Sequence, residues 1–456
     1  MNTATVTTSS AADQTARTRK RYLVLAMLFI VTTINYADRA TLSIAGPLLS
    51  KDLGIDTVTM GYVFSAFGWS YVLAQLPGGW LLDRFGSKKI YFWSIVLWSL
   101  FTFMQGGVGF IAQVTSSAVV VLFSLRLLVG AAEAPSFPAN GRIVASWFPA
   151  NERGTASAIF NSAQYFATVL FAPLMGWITH SYGWEAVFYV MGAIGVVASF
   201  FWLKVVHSPK THPSINRAEL DYIAQGGALV NMDQAASANT RAVGGPRWNY
   251  IGQLLSNRMM LGVYIGQYCI NTVTYFFLTW FPVYLVKERH MSILSAGFVA
   301  ALPAICGFAG GVLGGVVSDS LLRSGKSLTM ARKIPIVIGM LLSTSMIACN
   351  YVDSSTLVVA IMALAFFGKG LGALGWAVVS DTSPKEISGL SGALFNTFGN
   401  IAAITTPIVI GYLIKGTGSF SAALVFVAAN ALVTVLCYLF VVGEIRRFEL
   451  KKQSPC

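Results

Sequence analysis

The chain has 456 residues, of which 55% are hydrophobic and only 11% are charged. Soluble domains carry about 25% charged residues, so this composition excludes a soluble protein and predicts a polytopic membrane protein. The net charge of +13 does not indicate nucleic-acid binding, because the Lys and Arg residues are scattered through short segments between apolar stretches. The five cysteines show no CxxC or Cys/His spacing, so we expect neither a disulfide framework nor a metal site.

Twelve apolar stretches, each near the roughly 20 residues that a helix needs to cross a bilayer, predict an all-α membrane protein with twelve transmembrane helices. Residues 1–21 are polar and predicted to be a disordered N-terminus, and the first stretch is too long for a signal-peptide core. A central loop (207–256) separates two six-helix halves (22–206 and 257–443), and a tail (444–456) ends the chain. The predicted spans are 22–47, 58–82, 89–112, 117–140, 153–180, 184–206, 257–285, 292–319, 331–352, 355–380, 388–414 and 419–443.

The ends of these spans differ in positive charge, which predicts their orientation, because cytoplasmic loops are enriched in Lys and Arg. One side carries only Lys51, Lys287, Arg289 and Lys415. Both termini and the central loop are therefore expected in the cytoplasm, and the natural location is the inner (plasma) membrane of a bacterium. The side predicted to be cytoplasmic carries Arg17, Arg19, Lys20, Arg21, Arg84, Lys88, Lys89, Arg153, Arg323, Lys326, Arg332, Lys333, Lys385, Arg446, Arg447, Lys451 and Lys452.

The two halves repeat each other. Four matches occur in order, at offsets of 235–236 residues, which is hard to obtain by chance. Two parallel six-helix halves around a midplane cavity form a known transporter architecture that works by alternating access. The matched segments are Ile34-Asn35 with Ile270-Asn271, Gly61 with Gly297, Asp83 with Asp319, and Phe160-Asn161 with Phe395-Asn396.

The first span contains a carboxylate next to a guanidinium, Asp38 and Arg39. Each such charge costs about 2.5–3.5 kcal/mol on insertion scales, so a chain that keeps both is expected to use them. We interpret the pair as part of a substrate and proton site. The alternative is a mutually neutralised pair near the outer end of the helix.

The fourth span carries the second charged set, Arg126 and Glu133, which lie two turns apart on one face and too far apart for direct contact along the axis. A purely structural role is the alternative. Buried carboxylates can bind and release protons, so Asp38 and Glu133 are the predicted proton-coupling groups. The two arginines stay charged and can hold a carboxylate with two hydrogen bonds, which suits an organic acid moved together with protons.

The tenth span places Lys369 between two glycines near the membrane midplane, with Trp376 seven residues further on the same face. A second cation from the C-terminal half would match a dicarboxylate better than a monocarboxylate. Uncharged polar residues at inward positions could bind sugar hydroxyls, although a helix–helix hydrogen bond is an equally good interpretation of each one. They are Tyr36, Tyr71, Gln164 and Asn396.

The segment Gly79-Trp80-Leu81-Leu82-Asp83-Arg84-Phe85-Gly86-Ser87-Lys88-Lys89 connects the second and third spans and resembles a signature of the major facilitator superfamily. Gly79 is expected to permit close helix packing and Gly86 a tight turn. Asp83 can pair with Arg142 or Arg153. Such a pair, matched by Asp319 in the second half, would form a latch between conformations; the alternative is an ordinary basic loop.

Five further segments sharpen the resemblance: they are similar to the anion:cation symporter family within that superfamily, and most of all to bacterial glucarate/galactarate proton symporters. The likeness covers the chain from about Arg21 to Lys451. It implies proton coupling by Asp38 and Glu133, carboxylate binding by Arg39, and cavity positions for Tyr71, Gln164, Trp376 and Asn396. The segments are Asn35–Leu42, Met60–Phe67, Gln75–Trp80, Glu133–Pro138 and Phe277–Pro282.

The resulting hypothesis is a proton-coupled importer of hexarates that needs no cofactor, is surrounded by lipid and works as a monomer. A hexonate or hexuronate carrier, or an uncoupled facilitator, remains an alternative. A membrane-embedded enzyme is disfavoured, because the sequence has no HExxH, no GxSxG, no nucleotide-binding loop and therefore no candidate catalytic residue. A sensor derived from a transporter is a further alternative.

Overall fold

The computed structural model describes residues 17–110, 118–150, 152–232, 248–384 and 387–450. Residues 1–16 of the predicted disordered N-terminus (1–21), the small-residue run at 235–238 and the last residues of the tail lie outside these ranges. Lys20 and Arg21, which belong to the same predicted segment, are part of the first helix. Eleven helices of the described ranges are long and apolar enough to cross a membrane. A twelfth helix, at the second predicted span, is made less apolar by its Tyr, Trp, Ser and Gly residues. The predicted all-α class is confirmed.

The twelve helices, labelled α1 to α12, follow the predicted spans closely. The first six are α1 (Lys20–Asp52), α2 (Thr57–Phe85), α3 (Ser87–Gln105), α4 (Ala118–Glu133 and Ser136–Trp147), α5 (Arg153–Tyr182) and α6 (Trp184–Val205). The last six are α7 (Arg258–Tyr275, Phe276–Trp280 and Phe281–Lys287), α8 (Ile293–Arg323), α9 (Leu328–Ser343 and Thr344–Tyr351), α10 (Ser355–Leu371 and Gly375–Thr382), α11 (Ser388–Thr417) and α12 (Ser421–Leu436 and Cys437–Val441).

Helix starts and breaks recur at equivalent positions of the two halves. The Asp56 side chain caps α2 by accepting a hydrogen bond from the Thr59 amide at 2.7 Å, and Ser292, 236 residues later, caps α8 in the same way. α4 is interrupted at Pro135, because proline disfavours a helical residue before it. α10 is interrupted at the corresponding place, between Leu371 and Gly375.

The two halves meet along two seams, α2 against α11 and α5 against α8, on the face that carries few basic residues. Glycines form both seams: a Cβ added at any of four positions would lie 2.6–3.1 Å from a backbone carbonyl oxygen of the other half. Backbones approach this closely only where the side chain is absent. The close approaches obey the sequence repeat, joining Gly61 to Pro407, Gly297 to Ala172, Gly411 to Thr57 and Gly176 to Ile293.

Toward the other face, which we call the basic face and which carries Arg84 and Arg323, the same helices diverge. A Cβ at Gly79 or Gly315 would meet no atom of the described residues within 4 Å. The expectation that Gly79 permits close helix packing is therefore wrong for this conformation, because the halves are apart at that end. The part of the molecule that the structure describes is therefore closed on one face and open on the basic face.

The connection between the halves contains the helices Pro209–Thr211, Arg217–Gln225 and Trp248–Ser256. Its first part docks on the N-terminal half. The buried Glu219 carboxylate accepts hydrogen bonds from the backbone amides of Lys20 and Arg21, at 3.0 and 3.2 Å, and so caps the start of α1. The predicted loop is thus partly helical and anchored.

Candidate functional site

The charged centre of the N-terminal half is an ion pair between α1 and α4. Arg39 Nε donates to Glu133 Oε2 at 2.8 Å, and both side chains are buried. The guanidinium also lies 4.7–4.9 Å from the ring centres of Tyr36, Phe67 and Tyr71. Arg39 is therefore neutralised by α4 and not by its neighbour in sequence.

That neighbour, Asp38, faces α3. Thr102 Oγ1 donates to Asp38 Oδ2 at 3.0 Å, and Asp38 is only 1% exposed. Asp38 Oδ1 is buried and has no hydrogen-bond partner in the part of the chain that the structure describes. Sequence reasoning missed Thr102, because a threonine within an apolar span carries no distinguishing signal. The structure thus separates the two carboxylates: Glu133 is in an ion pair, whereas Asp38 has a hydroxyl partner.

Two buried cations, Arg126 and Lys369, form no salt bridge within the described residues. Arg126 lies 5.7 Å from the centre of the Phe67 ring. Lys369 Nζ lies 5.5 Å from the Tyr165 ring centre and 5.2 Å from that of Phe366. Burying a cation without a carboxylate partner is energetically costly, so a bound anion would stabilise it.

The sequence repeat places Glu133 of the N-terminal half and Lys369 of the C-terminal half at equivalent positions. Glu133 and Lys369 lie 236 residues apart, and each precedes the break in its helix, in α4 and α10. Interrupted helices at the midplane are where transporters of this architecture bind substrates. The two groups therefore occupy equivalent places on opposite sides of the space between the halves.

That space contains a cavity between α1, α5, α7, α8 and α10. Two of its lining residues, Tyr36 and Gln164, were predicted for the site. Tyr165 and Phe366, which were not predicted, also line it. Tyr36 is one of the three rings beside Arg39, and the Tyr165 and Phe366 rings lie beside Lys369. A cation–aromatic contact therefore lies on each side of the cavity.

Of the remaining predicted site residues, Asn396 contacts the opposite half, whereas Trp376 is exposed. Asn396 donates to Gln75 Oε1 across the halves at 3.2 Å; Gln75 was not predicted, although it lies one helical turn after Tyr71. Trp376 is 58% exposed and packs on Phe395. The expectation that Trp376 shares a helix face with Lys369 is wrong, because α10 is interrupted between them.

The predicted latch residues lie at the basic face. Asp83 pairs with Arg142, whereas Arg153 donates to backbone carbonyls, including that of Phe148 at 3.2 Å. Gly86 has φ +83° and joins α2 to α3, where a side chain would be strained. Arg84 stacks on the Trp80 and Phe85 rings, and Asp319 lies 4.0 Å from Arg332. Each Asp contact stays within one half in this conformation.

Sequence comparison identifies the family. The family model described as "Major Facilitator Superfamily" matches residues 28–331. The chain belongs to the Major Facilitator Superfamily. The "Probable galactarate/D-glucarate transporter GudP" of Bacillus subtilis is 67% identical over 96% of this chain and 95% of that protein. The protein of the same name from Escherichia coli is 63% identical (97% and 98% covered), and a "D-galactonate transporter" of E. coli is 42% identical (94% and 97%).

Solved structures of other transporters share the fold. A bacterial homologue of the human lysosomal transporter Spinster, inward-facing and unoccupied, superposes with a TM-score of 0.67 at 17% identity, covering 93% of this chain and 95% of that one. The inward-open xylose transporter XylE of E. coli gives 0.67 at 14% identity, with 93% and 96% covered. The predictions of the superfamily fold, and of a multi-pass membrane transporter that is not an enzyme, are confirmed.

Proposed function

We propose that this protein is a proton-coupled symporter that imports the hexarates D-glucarate and galactarate by alternating access. The observation that carries the proposal is the surplus of buried cations within the membrane-spanning helices. Away from the helix ends, the described spans bury three cations (Arg39, Arg126 and Lys369) and two carboxylates (Asp38 and Glu133). Such a site attracts an anion, and the relatives named galactarate/D-glucarate transporters, at 60–67% identity, support this choice of anion.

The position of the cations favours an acid with two carboxylates. Arg39 and Arg126 belong to the N-terminal half and Lys369 to the C-terminal half, so a dicarboxylate can place one end against each half. Lys369 also separates this proposal from its nearest rival, a hexonate carrier, which the 42% identical D-galactonate transporter favours. A hexonate has no second carboxylate for the cation of α10.

Charge balance couples the substrate to protons. With both acids ionised, a bound dianion gives the site one excess negative charge, and a proton on Asp38 or Glu133 restores neutrality. A neutral loaded site crosses the low-dielectric barrier between conformations more easily than a charged one. Binding of the substrate carboxylate to Arg39 would compete with Glu133 for the guanidinium, which ties release of the ion pair to protonation.

The proposal also includes the membrane in which the protein lies and the side of that membrane to which the described conformation opens. The basic face lies in the cytoplasm by the distribution of Lys and Arg, so the described conformation is open to the cytoplasm. The protein then lies in the inner membrane with both termini inside, works as a monomer and uses protons as its coupling ion without a further cofactor.

Uptake into proteoliposomes tests the proposal. Radiolabelled glucarate, galactarate and galactonate are compared with and without an inward proton gradient, for the wild type, Glu133→Gln and the control Glu185→Gln at the start of α6. We expect gradient-driven accumulation of the hexarates by wild type and control. Glu133→Gln should lose accumulation but keep counterflow exchange. Accumulation of galactonate alone would overturn the hexarate assignment, and equilibration without response to the gradient would make the protein a facilitator.

A further inference from the structure

Four uncharged polar side chains form a hydrogen-bonded chain from the C-terminal half to the N-terminal half. Tyr275 of α7 donates its hydroxyl hydrogen to Asn400 Oδ1 at 3.1 Å. Asn400 Nδ2 donates to Asn396 Oδ1 at 3.1 Å and to the Asn396 backbone carbonyl at 2.9 Å. Asn396 Nδ2 donates to Gln75 Oε1 of α2 at 3.2 Å. We call this the amide chain.

One backbone carbonyl determines which group donates and which accepts in each hydrogen bond between the amides of the amide chain. A backbone carbonyl can only accept, so the Asn400 atom that faces the Asn396 carbonyl must be its NH₂ nitrogen. That nitrogen also faces the Asn396 side chain, which must therefore present its oxygen to Asn400 and its NH₂ to Gln75. The Tyr275 hydroxyl reinforces this orientation by donating to the oxygen of Asn400.

The amide chain consequently ends in donors. Gln75 accepts through its oxygen, and its Nε2 is buried without a hydrogen-bond partner among the described residues. One N–H group of Asn396 binds Gln75, which leaves the second for a ligand. A buried donor without a partner costs about 1–3 kcal/mol, so an acceptor supplied by a ligand is favoured there.

The amide chain adjoins the charged centre. Tyr275 lies 236 residues after Arg39 and therefore holds the equivalent position in the C-terminal half. Gln75 lies one helical turn after Tyr71 on α2, and the Tyr71 ring centre lies 4.8 Å from the Arg39 guanidinium. The donors are thus placed beside the groups that would bind the carboxylates.

We propose that Tyr275 and Asn400 are positioning residues that hold Asn396 and Gln75 in the orientation that presents donors only. These two amides then bind hydroxyl oxygens of a polyhydroxylated acid as acceptors, one from each half. The inference rests on the proposed function and deepens it, because it assigns recognition of the substrate's hydroxyl groups to named side chains. A substrate acid that has no hydroxyl oxygen beside Gln75 would leave the Gln75 Nε2 donor without a hydrogen-bond partner.

A matched pair of tyrosines provides the test. Tyr268 is also on α7 and also bonds α11, through the Thr405 hydroxyl at 2.9 Å, but it is outside the amide chain. Tyr275→Phe and Tyr268→Phe therefore each remove one interhelical hydroxyl bond. Binding of galactarate to the purified proteins in detergent is measured by calorimetry, and the thermal unfolding midpoint is measured beside it.

We expect Tyr275→Phe to raise the Kd for galactarate about fivefold, the worth of one hydrogen bond, with the Kd of Tyr268→Phe unchanged. Asn400→Leu removes the donor that orients Asn396 and should raise the Kd about tenfold or more. Tyr275→Phe and Tyr268→Phe should have similar unfolding midpoints, so the difference in Kd does not report stability.

Equal Kd values for the wild type, Tyr275→Phe and Asn400→Leu would overturn the inference and leave the proposed function intact. Equal losses in the two Phe variants would also overturn it, since packing of α7 on α11 would then be the cause. Failure of the wild type to bind galactarate would overturn both the proposed substrate and the inference.

Discussion

The glycine seams make a quantitative prediction about the conformational equilibrium. Gly411 on α11 faces the start of α2, where an added Cβ would lie 2.6 Å from the Thr57 carbonyl oxygen. Gly416, on the same helix and nearer the same end, would place its Cβ in open space. The two substitutions Gly411→Ala and Gly416→Ala are therefore chemically identical and differ only in the seam.

The expected difference follows from the contact. Ordinary van der Waals contact begins at 3.4 Å, so α2 and α11 must separate by several tenths of an ångström to admit the methyl group. Overpacking of this kind costs about 1–3 kcal/mol. Both variants gain helix propensity, up to about 1 kcal/mol, which cancels in the comparison. The seam exists only when this face is closed, so the penalty should shift the equilibrium toward opening by about 5- to 150-fold.

Double electron–electron resonance measures the shift as a change in the distance between two spin labels. Spin labels at Lys51 and Asp353, on opposite halves at the closed face, are introduced on a background whose native cysteines are replaced by serine. Gly416→Ala should reproduce the wild-type distance distribution. Gly411→Ala should lose the short distance and gain a longer one.

Identical distributions for Gly411→Ala and wild type, in protein that remains folded and monodisperse, would refute the reasoning. The seam would then tolerate a methyl group by local adjustment. A shift of equal size in both variants would point to altered flexibility of α11.

Three further outcomes are expected. Arg39→Lys should weaken galactarate binding about tenfold in calorimetry, because an ammonium lacks the guanidinium fork, and Arg323→Lys should not. Lys369→Gln should abolish galactarate uptake selectively and leave any galactonate uptake unchanged; equal loss of both would contradict the dicarboxylate assignment. Asp56→Ala removes the cap of α2 and should cost about 1 kcal/mol at pH 7, seen as a lower unfolding midpoint. Hydrogen bonds from Thr59, aided by Lys415, lower the pKa of Asp56, so this advantage of the wild type is complete above about pH 4 and is lost as the pH falls through the lowered value. Midpoints that stay equally far apart in acid would show that the charge of Asp56 contributes nothing.

The spans and the charged residues could be predicted from the sequence because the bilayer penalises exceptions. A backbone in hydrocarbon must form helices, and a charge there is costly enough to stand out, as Asp38, Glu133 and Lys369 do. The partners of those charges could not be predicted. Thr102 and Gln75 are ordinary polar residues until tertiary packing brings α3 to Asp38 and α11 to α2.

The wrong predictions for Trp376 and Gly79 have the same cause, since each was made from a single helix without its neighbours. Trp376 was placed on the face of Lys369 because a continuous period of 3.6 residues was assumed, and the interruption before Gly375 removes that phase relation. Gly79 was assigned to close packing, yet its environment depends on which face of the molecule is closed. A sequence encodes both conformations and does not say which one is present.

The distribution of buried charge makes the two halves chemically unequal partners. Among the described residues of α7 to α12, Lys369 is the one buried charged side chain, whereas both acids and both arginines lie in α1 and α4. Under the proposed function, an N-terminal half joined to the C-terminal half of a relative would keep both proposed proton-coupling acids, Asp38 and Glu133. Under the same proposal, such a hybrid would bind a different substrate and remain coupled to protons.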